Sequence, residues 1–326
     1  MSCYHPMNGL VLGTNSNGKR NIRIVNAEFK NRFGELDYID IPCGKCIGCR
    51  LDYSRQWADR CMLEAKYHEK NCFITLTYDN DNLPPAKEFI DTSTGEIIQS
   101  KIHPLVKKDF QDFMKRLRDR IGYDNPIRYY ACGEYGTESF RPHYHAIIFG
   151  YNFDDDRVFY KKNFRGDMYY KSEFLDSVWN NGICMVADLE WECCAYVARY
   201  VAKKLGNKLD YAKYDIPKEF VVMSRRPGIA RQFYDDNKDS LIKDKRIYLS
   251  TDKGSRRIHT PRYYEKLFDI DYPVENAKIR NDNIEKMVNH AKILDESSSK
   301  SHLGILEDME VNFTARTNIF KERSDI

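Results

Sequence analysis

A chain of 326 residues with 42% apolar and 31% charged side chains can bury a real core, and it is too evenly mixed to be disordered or fibrous. No stretch approaches the roughly 20 consecutive apolar residues of a spanning helix. The start Met1-Ser2-Cys3-Tyr4-His5-Pro6 lacks the basic and then apolar run of a secretory signal. The expected address is the cytoplasm, with no membrane partner, and the ten cysteines then read as thiols or metal ligands rather than disulfides. The net charge of +3 selects no partner alone, because nucleic-acid contacts are made by local patches.

Residues 1 to about 50 read as an irregular, cysteine-rich segment with Gly/Asn turns. A helix is predicted over about Leu51 to Glu69, followed by a strand at Cys72-Phe73-Ile74-Thr75-Leu76-Thr77-Tyr78, rich in β-branched and aromatic residues. Asn80 to Ile102 reads as a loop or short hairpin. Phe110, Phe113, Met114, Leu117 and Ile121 recur at helical spacing over Lys107 to Ile121, with Gly122 as C-cap. Strands are predicted at Ile127 to Cys132 and His143 to Tyr151, joined by the turn-rich Gly133 to Pro142. A helix follows over about Leu189 to Leu205. This order implies an α+β domain, about residues 51–270, with helices on one face of a mostly antiparallel sheet. Residues 271–326 are charged and Asn/Ser-rich, and are expected to be a helical or loosely held tail.

The sharpest local signal is Arg141-Pro142-His143-Tyr144-His145. Residues two apart on a strand share a face, so His143 and His145 project together while Tyr144 points away. Two imidazoles side by side can hold one divalent cation. Glu134, nine residues earlier on the neighbouring strand end, would add a carboxylate and leave positions open. A histidine pair packed on a sheet face is the plainer alternative, and two histidines with one carboxylate also suit non-haem iron oxygenases.

The reaction is suggested by Tyr196-Val197-Ala198-Arg199-Tyr200-Val201-Ala202-Lys203-Lys204. At about 100° per residue, Tyr196, Tyr200 and Lys203 fall within about 60° of one another. Cys194, Val197, Ala198, Val201 and Leu205 form a separate apolar stripe, so core packing explains one stripe and not the other. A phenol becomes a usable nucleophile toward phosphorus where a metal and nearby positive charge favour the phenolate. Two amphipathic tyrosines at a surface are the bland alternative.

Phe73-Ile74-Thr75-Leu76-Thr77, the His143/His145 pair and the Tyr196/Tyr200/Lys203 helix resemble, in order, the three motifs of rolling-circle replication initiators of the HUH class. Pro42-Cys43-Gly44-Lys45-Cys46-Ile47-Gly48-Cys49-Arg50 and Cys132-Gly133-Glu134-Tyr135-Gly136 extend the resemblance to the initiators of gokushovirus-like Microviridae, bacteriophages with circular single-stranded DNA. The resemblance covers roughly Cys3 to Leu267. It implies an HUH endonuclease fold, a five-stranded antiparallel sheet flanked by helices (a ferredoxin/RRM-like palm), with the histidine pair on a central strand. It implies Mg²⁺ or Mn²⁺ on Glu134, His143 and His145, with Tyr196 and Tyr200 as nucleophiles and Lys203 beside them. It further implies a metal-dependent nickase and strand transferase in the host bacterial cytoplasm. Such an enzyme cuts origin DNA, single-stranded or in the double-stranded replicative form, keeps the 5′ phosphate on tyrosine and leaves a 3′ hydroxyl for the host polymerase. No Walker-type loop is present, so unwinding would fall to a host helicase.

Cys43-x-x-Cys46-x-x-Cys49 places three thiols in one tight loop, and Cys3, or His5 in place of one thiol, can complete a structural Zn²⁺ site. Iron–sulfur ligation and unmetallated thiols remain alternatives. From Arg199 to Arg262, 17 Lys+Arg stand against 8 Asp+Glu. Arg141, Arg199, Lys204, Arg225, Arg226, Arg256, Arg257 and Arg262 are the candidate DNA contacts, with solvated loops the competing explanation. A non-catalytic zinc-containing DNA-binding protein, for packaging or regulation, is the rival from another class.

Overall fold

The computed structural model describes residues 3–322 except 91–92, 125, 137–138, 164–165, 204–209 and 252–253; for 199–203, 251 and 317–322 it describes the backbone alone. The chain forms two compact units, one of Met1–Tyr53 with Asn237–Ile326 and one of Ser54–Asp236.

The first unit opens with β1 (Met7–Thr14), paired antiparallel with β2 (Arg20–Val25) on one side and β3 (Tyr38–Ile41) on the other, with α1 (Ala27–Arg32) between them. Asn26 caps α1 by accepting from the Phe29 amide. The helix predicted from about Leu51 starts earlier, as α2 (Ile47–Ala65), so that Cys49 lies in its first turn; its residues from Ser54 belong to the second unit.

In the second unit β4 (Asn71–Tyr78) is followed by a hairpin of β5 (Glu88–Ile90) and β6 (Ile97–Gln99), then α3 (Lys107–Ile121), β7 (Arg128–Tyr135) and β8 (Pro142–Phe149). The chain continues through β9 (Val158–Lys162), β10 (Met168–Lys171), α4 (Glu173–Trp179), β11 (Gly182–Asp188), α5 (Trp191–Lys203), β12 (Phe220–Met223) and α6 (Arg231–Asp244). The main sheet is wholly antiparallel and has seven strands, ordered β12-β7-β8-β4-β11-β10-β9, where five were expected. The excess is the β9–β10 hairpin, whose Val-Phe-Tyr and Met-Tyr-Tyr runs extend the sheet beyond β11.

Helices cover both faces, not one. Cys72, Ile74, Leu76, Tyr144, Ala146, Ile148, Cys184 and Val186 share a face and pack with Phe110, Phe113, Met114 and Leu117 of α3 and Leu175, Val178 and Trp179 of α4. The helical spacing read in α3 thus delivers its stripe to the core, and Gly122, at φ +82°, ends the helix. The opposite face also carries buried apolar groups, Phe73, Tyr130, Ile147 and Phe149, which need cover of their own. There Trp57 of α2 stacks on Tyr130 with ring centroids 4.7 Å apart, and α5 brings Tyr196 edge-on to Phe73. Ser54 donates to the Ala195 carbonyl and Trp191 to Asp59, which fasten α2 to α5. The end of this face at Thr77, His143 and Ile183 is less covered, and Ile183 is 56% exposed.

The remainder of the first unit is a two-stranded ribbon, β13 (Arg246–Thr251) with β14 (Gly254–His259), and three helices: α7 (Arg262–Asp271), α8 (Pro273–Glu296) and α9 (His302–Glu322). The segment after residue 271 is therefore helical over most of its described length. No described helix is long and apolar enough to cross a membrane.

Candidate metal centre and tyrosine site

β7 runs through to Tyr135, further than the turn-rich composition after Cys132 suggested. The register sets Glu134 opposite His143 and Cys132 opposite His145, while β4 on the other side of β8 sets Thr77 opposite His143 and Thr75 opposite His145. Directly paired residues point to the same face, so Glu134, both histidines and both threonines project together. Tyr144 points the other way, into the core, as the two-residue period required.

Glu134 is fully buried, and its Oε1 lies 2.8 Å from His143 Nε2 and 2.9 Å from His145 Nε2. Each ring is held from behind: His143 Nδ1 is 3.0 Å from the Arg141 carbonyl and His145 Nδ1 is 3.0 Å from Thr75 Oγ1. A carbonyl only accepts, so His143 carries its proton on Nδ1. A neutral His143 then turns the Nε2 lone pair toward a carboxylate oxygen, and two acceptors at that distance require a cation between them. Either the imidazoles are protonated or a metal ion replaces their protons.

Burial alone would raise the Glu134 carboxyl, yet the two imidazoles hold it below its ordinary value, so it is an anion ready to coordinate. Its other oxygen, Oε2, is buried without a hydrogen-bond partner among the described residues. The three ligand atoms lie within 4.8 Å of one another. The donor set fits a divalent cation: two nitrogens and one oxygen fill half of an octahedron, and imidazoles suit Mn²⁺ better than Mg²⁺.

Helix α5 delivers the phenol. Cys194, Val197 and Ala198 are completely buried and Tyr196 is 36% exposed, so the apolar stripe and the tyrosine stripe separate as the helical period demands. The Tyr196 hydroxyl donates to Glu134 Oε1 at 3.4 Å, and its ring meets His145 edge-on with centroids 5.0 Å apart. Phe73 stacks on the far side of His145 at 5.4 Å. Position 200 follows on the same helix one turn later, but the side chains of Arg199, Tyr200 and Lys203, and all of Lys204, lie outside the described residues.

Among the basic candidates, Arg141 directs Nε at the Tyr78 carbonyl and both terminal nitrogens at Asn80 Oδ1, each at 3.0 Å, which ties the start of β8 to the end of β4. Arg225 and Arg226 are exposed on the turn after β12. In the other unit Arg257 and Arg262 are exposed and Arg256 is half-buried, on β14 and at the start of α7. Cys3, Cys43, Cys46 and Cys49 converge in that unit as a second group of potential ligands, without His5, which pairs with Glu310. Cys61, Cys72, Cys132, Cys184 and Cys194 are buried, as expected of small core residues.

Thr75 and Phe73 are the site residues that reading along the chain left without a role. The period of β4 puts Thr75 on the same face as Phe73 and Thr77, but its partner His145 is 70 residues away. That pairing depends on strand register, which has no local signature.

Comparison with known proteins places this whole site inside one matched segment. Residues 71–205 match the family described as replication-associated protein ORF2, a span that contains Thr75, Glu134, His143, His145 and Tyr196. The chain is 33% identical over 239 residues to the replication-associated protein ORF2 of Spiroplasma virus 4, covering 72% of this chain and 69% of that protein. It is 31% identical over 247 residues to the replication-associated protein VP4 of Bdellovibrio phage phiMH2K, with 73% and 70% covered. With the replication-associated protein ORF4 of Chlamydia phage 1 it shares 31% identity over 234 residues, 70% of this chain and 53% of that protein. No solved structure matches it. On its sequence, the chain belongs to the replication-associated protein ORF2 family.

Proposed function

We propose that this protein is the rolling-circle replication initiator of a small single-stranded-DNA bacteriophage: a metal-dependent nickase and strand transferase of HUH fold that joins DNA to tyrosine. The observation that carries the reading is the position of the Tyr196 hydroxyl, 3.4 Å from the same carboxylate oxygen that faces both imidazoles. Neither a purely structural histidine pair nor a non-catalytic DNA-binding protein needs a phenol there.

A bound Mn²⁺ or Mg²⁺, held by Glu134, His143 and His145, would neutralise charge on the scissile phosphate. The protein's own groups do the rest. Glu134 Oε1 holds the phenol over the site, while Phe73 and His145 fix its ring from two sides. The Tyr196 oxygen attacks phosphorus as its proton is lost, the bond to the 3′ oxygen breaks, and that oxygen takes up a proton. The 5′ phosphate stays on Tyr196 as an ester that conserves the energy of the cut bond, so the reverse attack reseals the strand. Tyr200, one turn further on the helix, is the second nucleophile for the terminating cut, with Lys203 beside it. Thr77, Met185 and the exposed Ile183 continue the same sheet face past the histidines and form the open approach for a single strand. The protein acts in the host cytoplasm, on single-stranded origin DNA and the double-stranded replicative form. The host polymerase extends the 3′ hydroxyl behind a host helicase.

The test incubates the full chain with labelled single-stranded oligonucleotides tiling its cognate phage genome, with and without Mn²⁺, and looks for a denaturation-resistant protein–DNA adduct. The expected result is one adduct-forming sequence, lost with Tyr196→Phe plus Tyr200→Phe, and lost with His143→Ala while single-strand binding survives. A wild-type protein that forms no adduct with any tile refutes the reading, as does an adduct that persists in the double variant.

A further inference from the structure

The proposed function leaves one group of chemically capable side chains unused: Cys3, Cys43, Cys46 and Cys49. Cys3 comes from the start of the chain, Cys43 and Cys46 from the loop after β3, and Cys49 from the first turn of α2. All four sulfurs lie within 4.8 Å of one another, and Cys43 and Cys49 are 4.0 Å apart. None is in a disulfide, which would bring a pair to about 2.05 Å. A tetrahedral ion with sulfur at about 2.3 Å sets its ligands about 3.8 Å from each other. The observed spacing is that of a tetrahedron, not of a bond.

The backbone around the sulfurs is arranged for negative charge. The Cys43 amide donates to Cys3 Sγ at 3.3 Å, and the Lys45 and Cys46 amides both donate to Cys43 Sγ at 3.3 Å. The Tyr4 and Cys49 amides donate to Cys46 Sγ at 3.4 and 3.5 Å. Gly44, at φ +73°, gives the loop the left-handed turn that aims consecutive amides inward. A neutral thiol is a weak acceptor, whereas a thiolate repays several such donors. Cys3 and Cys46 are buried, at 5% and 8% exposure, so thiolates here need a counter-charge within the cluster.

We propose that Cys3, Cys43, Cys46 and Cys49 bind one Zn²⁺ as four thiolates in a closed tetrahedral site that fastens the start of the chain to the first turn of α2. Soft sulfur ligands select zinc over the hard cations that suit the Glu134 centre. Four protein ligands leave no position for substrate, so the ion is structural. Its grip extends to the other end of the chain. The Tyr4 ring packs on Phe313 of α9 with centroids 6.1 Å apart, and His5 pairs with Glu310. Fixing Cys3 therefore also fixes the two residues that meet α9.

The test uses the full chain purified without an N-terminal tag and measures bound metal by mass spectrometry after dialysis. One zinc per chain is expected, released by a thiol-specific mercurial and unaffected by His143→Ala or Cys61→Ser. Cys3→Ser and Cys46→Ser should each lose it. Because those variants can also misfold, the wild-type protein is reconstituted with Co²⁺, where an intense tetrahedral spectrum with sulfur-to-metal charge transfer is expected. Hydrogen exchange on chelation should rise at least tenfold in residues 3–6 and in α9 around Glu310. An absence of tightly held zinc overturns the proposal. So does iron in its place, an octahedral cobalt spectrum, or zinc that follows His143 rather than the cysteines.

Discussion

Replacing Thr75 by valine removes a single hydroxyl that touches neither the proposed metal nor DNA, and exchanges it for a methyl of nearly the same size. Thr75 is buried, and its Oγ1 lies 3.0 Å from His145 Nδ1. For His145 to present the Nε2 lone pair to a metal, Nδ1 must carry the proton, and Thr75 is the acceptor that keeps it there. In Thr75→Val a metal-bound His145 holds a buried N–H with no acceptor on that side, a cost of about 1–3 kcal/mol. Without metal the ring can move its proton to Nε2 and donate to Glu134 instead, so the penalty falls on the metal-bound state. That corresponds to a 10–100-fold loss of metal affinity, about 1.4–2.7 kcal/mol. The assay is a Mn²⁺ titration followed by calorimetry and, in parallel, by adduct formation. The half-saturating Mn²⁺ concentration should rise 10–100-fold while the rate at saturating Mn²⁺ recovers to within a few-fold of wild type. Affinity unchanged within about twofold would refute the role given to Thr75. A rate that saturating Mn²⁺ does not restore would show that the hydroxyl acts on something other than the ligand.

Three further outcomes follow from the same geometry. Ile183→Glu puts a negative charge on the open end of the site face and should weaken single-strand binding about 3–10-fold at low salt, less at high salt, with Mn²⁺ affinity unchanged; filter binding across a salt series checks it. Gly182 begins β11 at φ +147°, and a Cβ there would stand 2.2 Å from the Asp79 amide nitrogen and 2.4 Å from the Thr77 carbonyl; Gly182→Ala should cost about 2–4 kcal/mol in denaturant unfolding. Glu64 is buried, which alone would raise its carboxyl, but His68, the Ala230 amide and Arg128 together hold it below its ordinary value. A lowered carboxyl stabilises the fold above the unfolded value of about 4.3 and loses that contribution as pH falls through the folded value. Glu64→Gln should therefore destabilise by about 2–4 kcal/mol at pH 7, with the gap to wild type closing in acid; an equal gap at both pH values would show that packing, not charge, is at stake.

Parts of this molecule were legible along the chain because local periodicity decides them. The period of two in His143-Tyr144-His145 put the imidazoles on one face and Tyr144 in the core, and the helical period separated Tyr196 from the buried Cys194, Val197 and Ala198. Cys43, Cys46 and Cys49 were visible for the same reason, being confined to one short loop. What escaped depends on contacts between distant segments. The composition after Cys132 reads as a turn, yet β7 continues to Tyr135 because β8 and β12 supply ladder partners on both sides. The β9–β10 hairpin reads as polar surface with aromatic residues until β11 offers it an edge. Residues 1–53 and 237–326 carry no mark that they form one unit.

The difference matters most at Glu134. Nine residues of spacing were enough to nominate it, but its chemistry comes from its depth. A carboxylate at a strand end in solvent would be an ordinary surface acid, screened and indifferent to its neighbours. At full burial, with one oxygen shared by two imidazoles and a phenol and the other without a hydrogen-bond partner among the described residues, the same group costs the fold stability unless positive charge is supplied. The strand that continues past its apparent turn is what places it at that depth. The length of β7 is thus the structural step that turns a spaced set of residue types into a site that demands a cation.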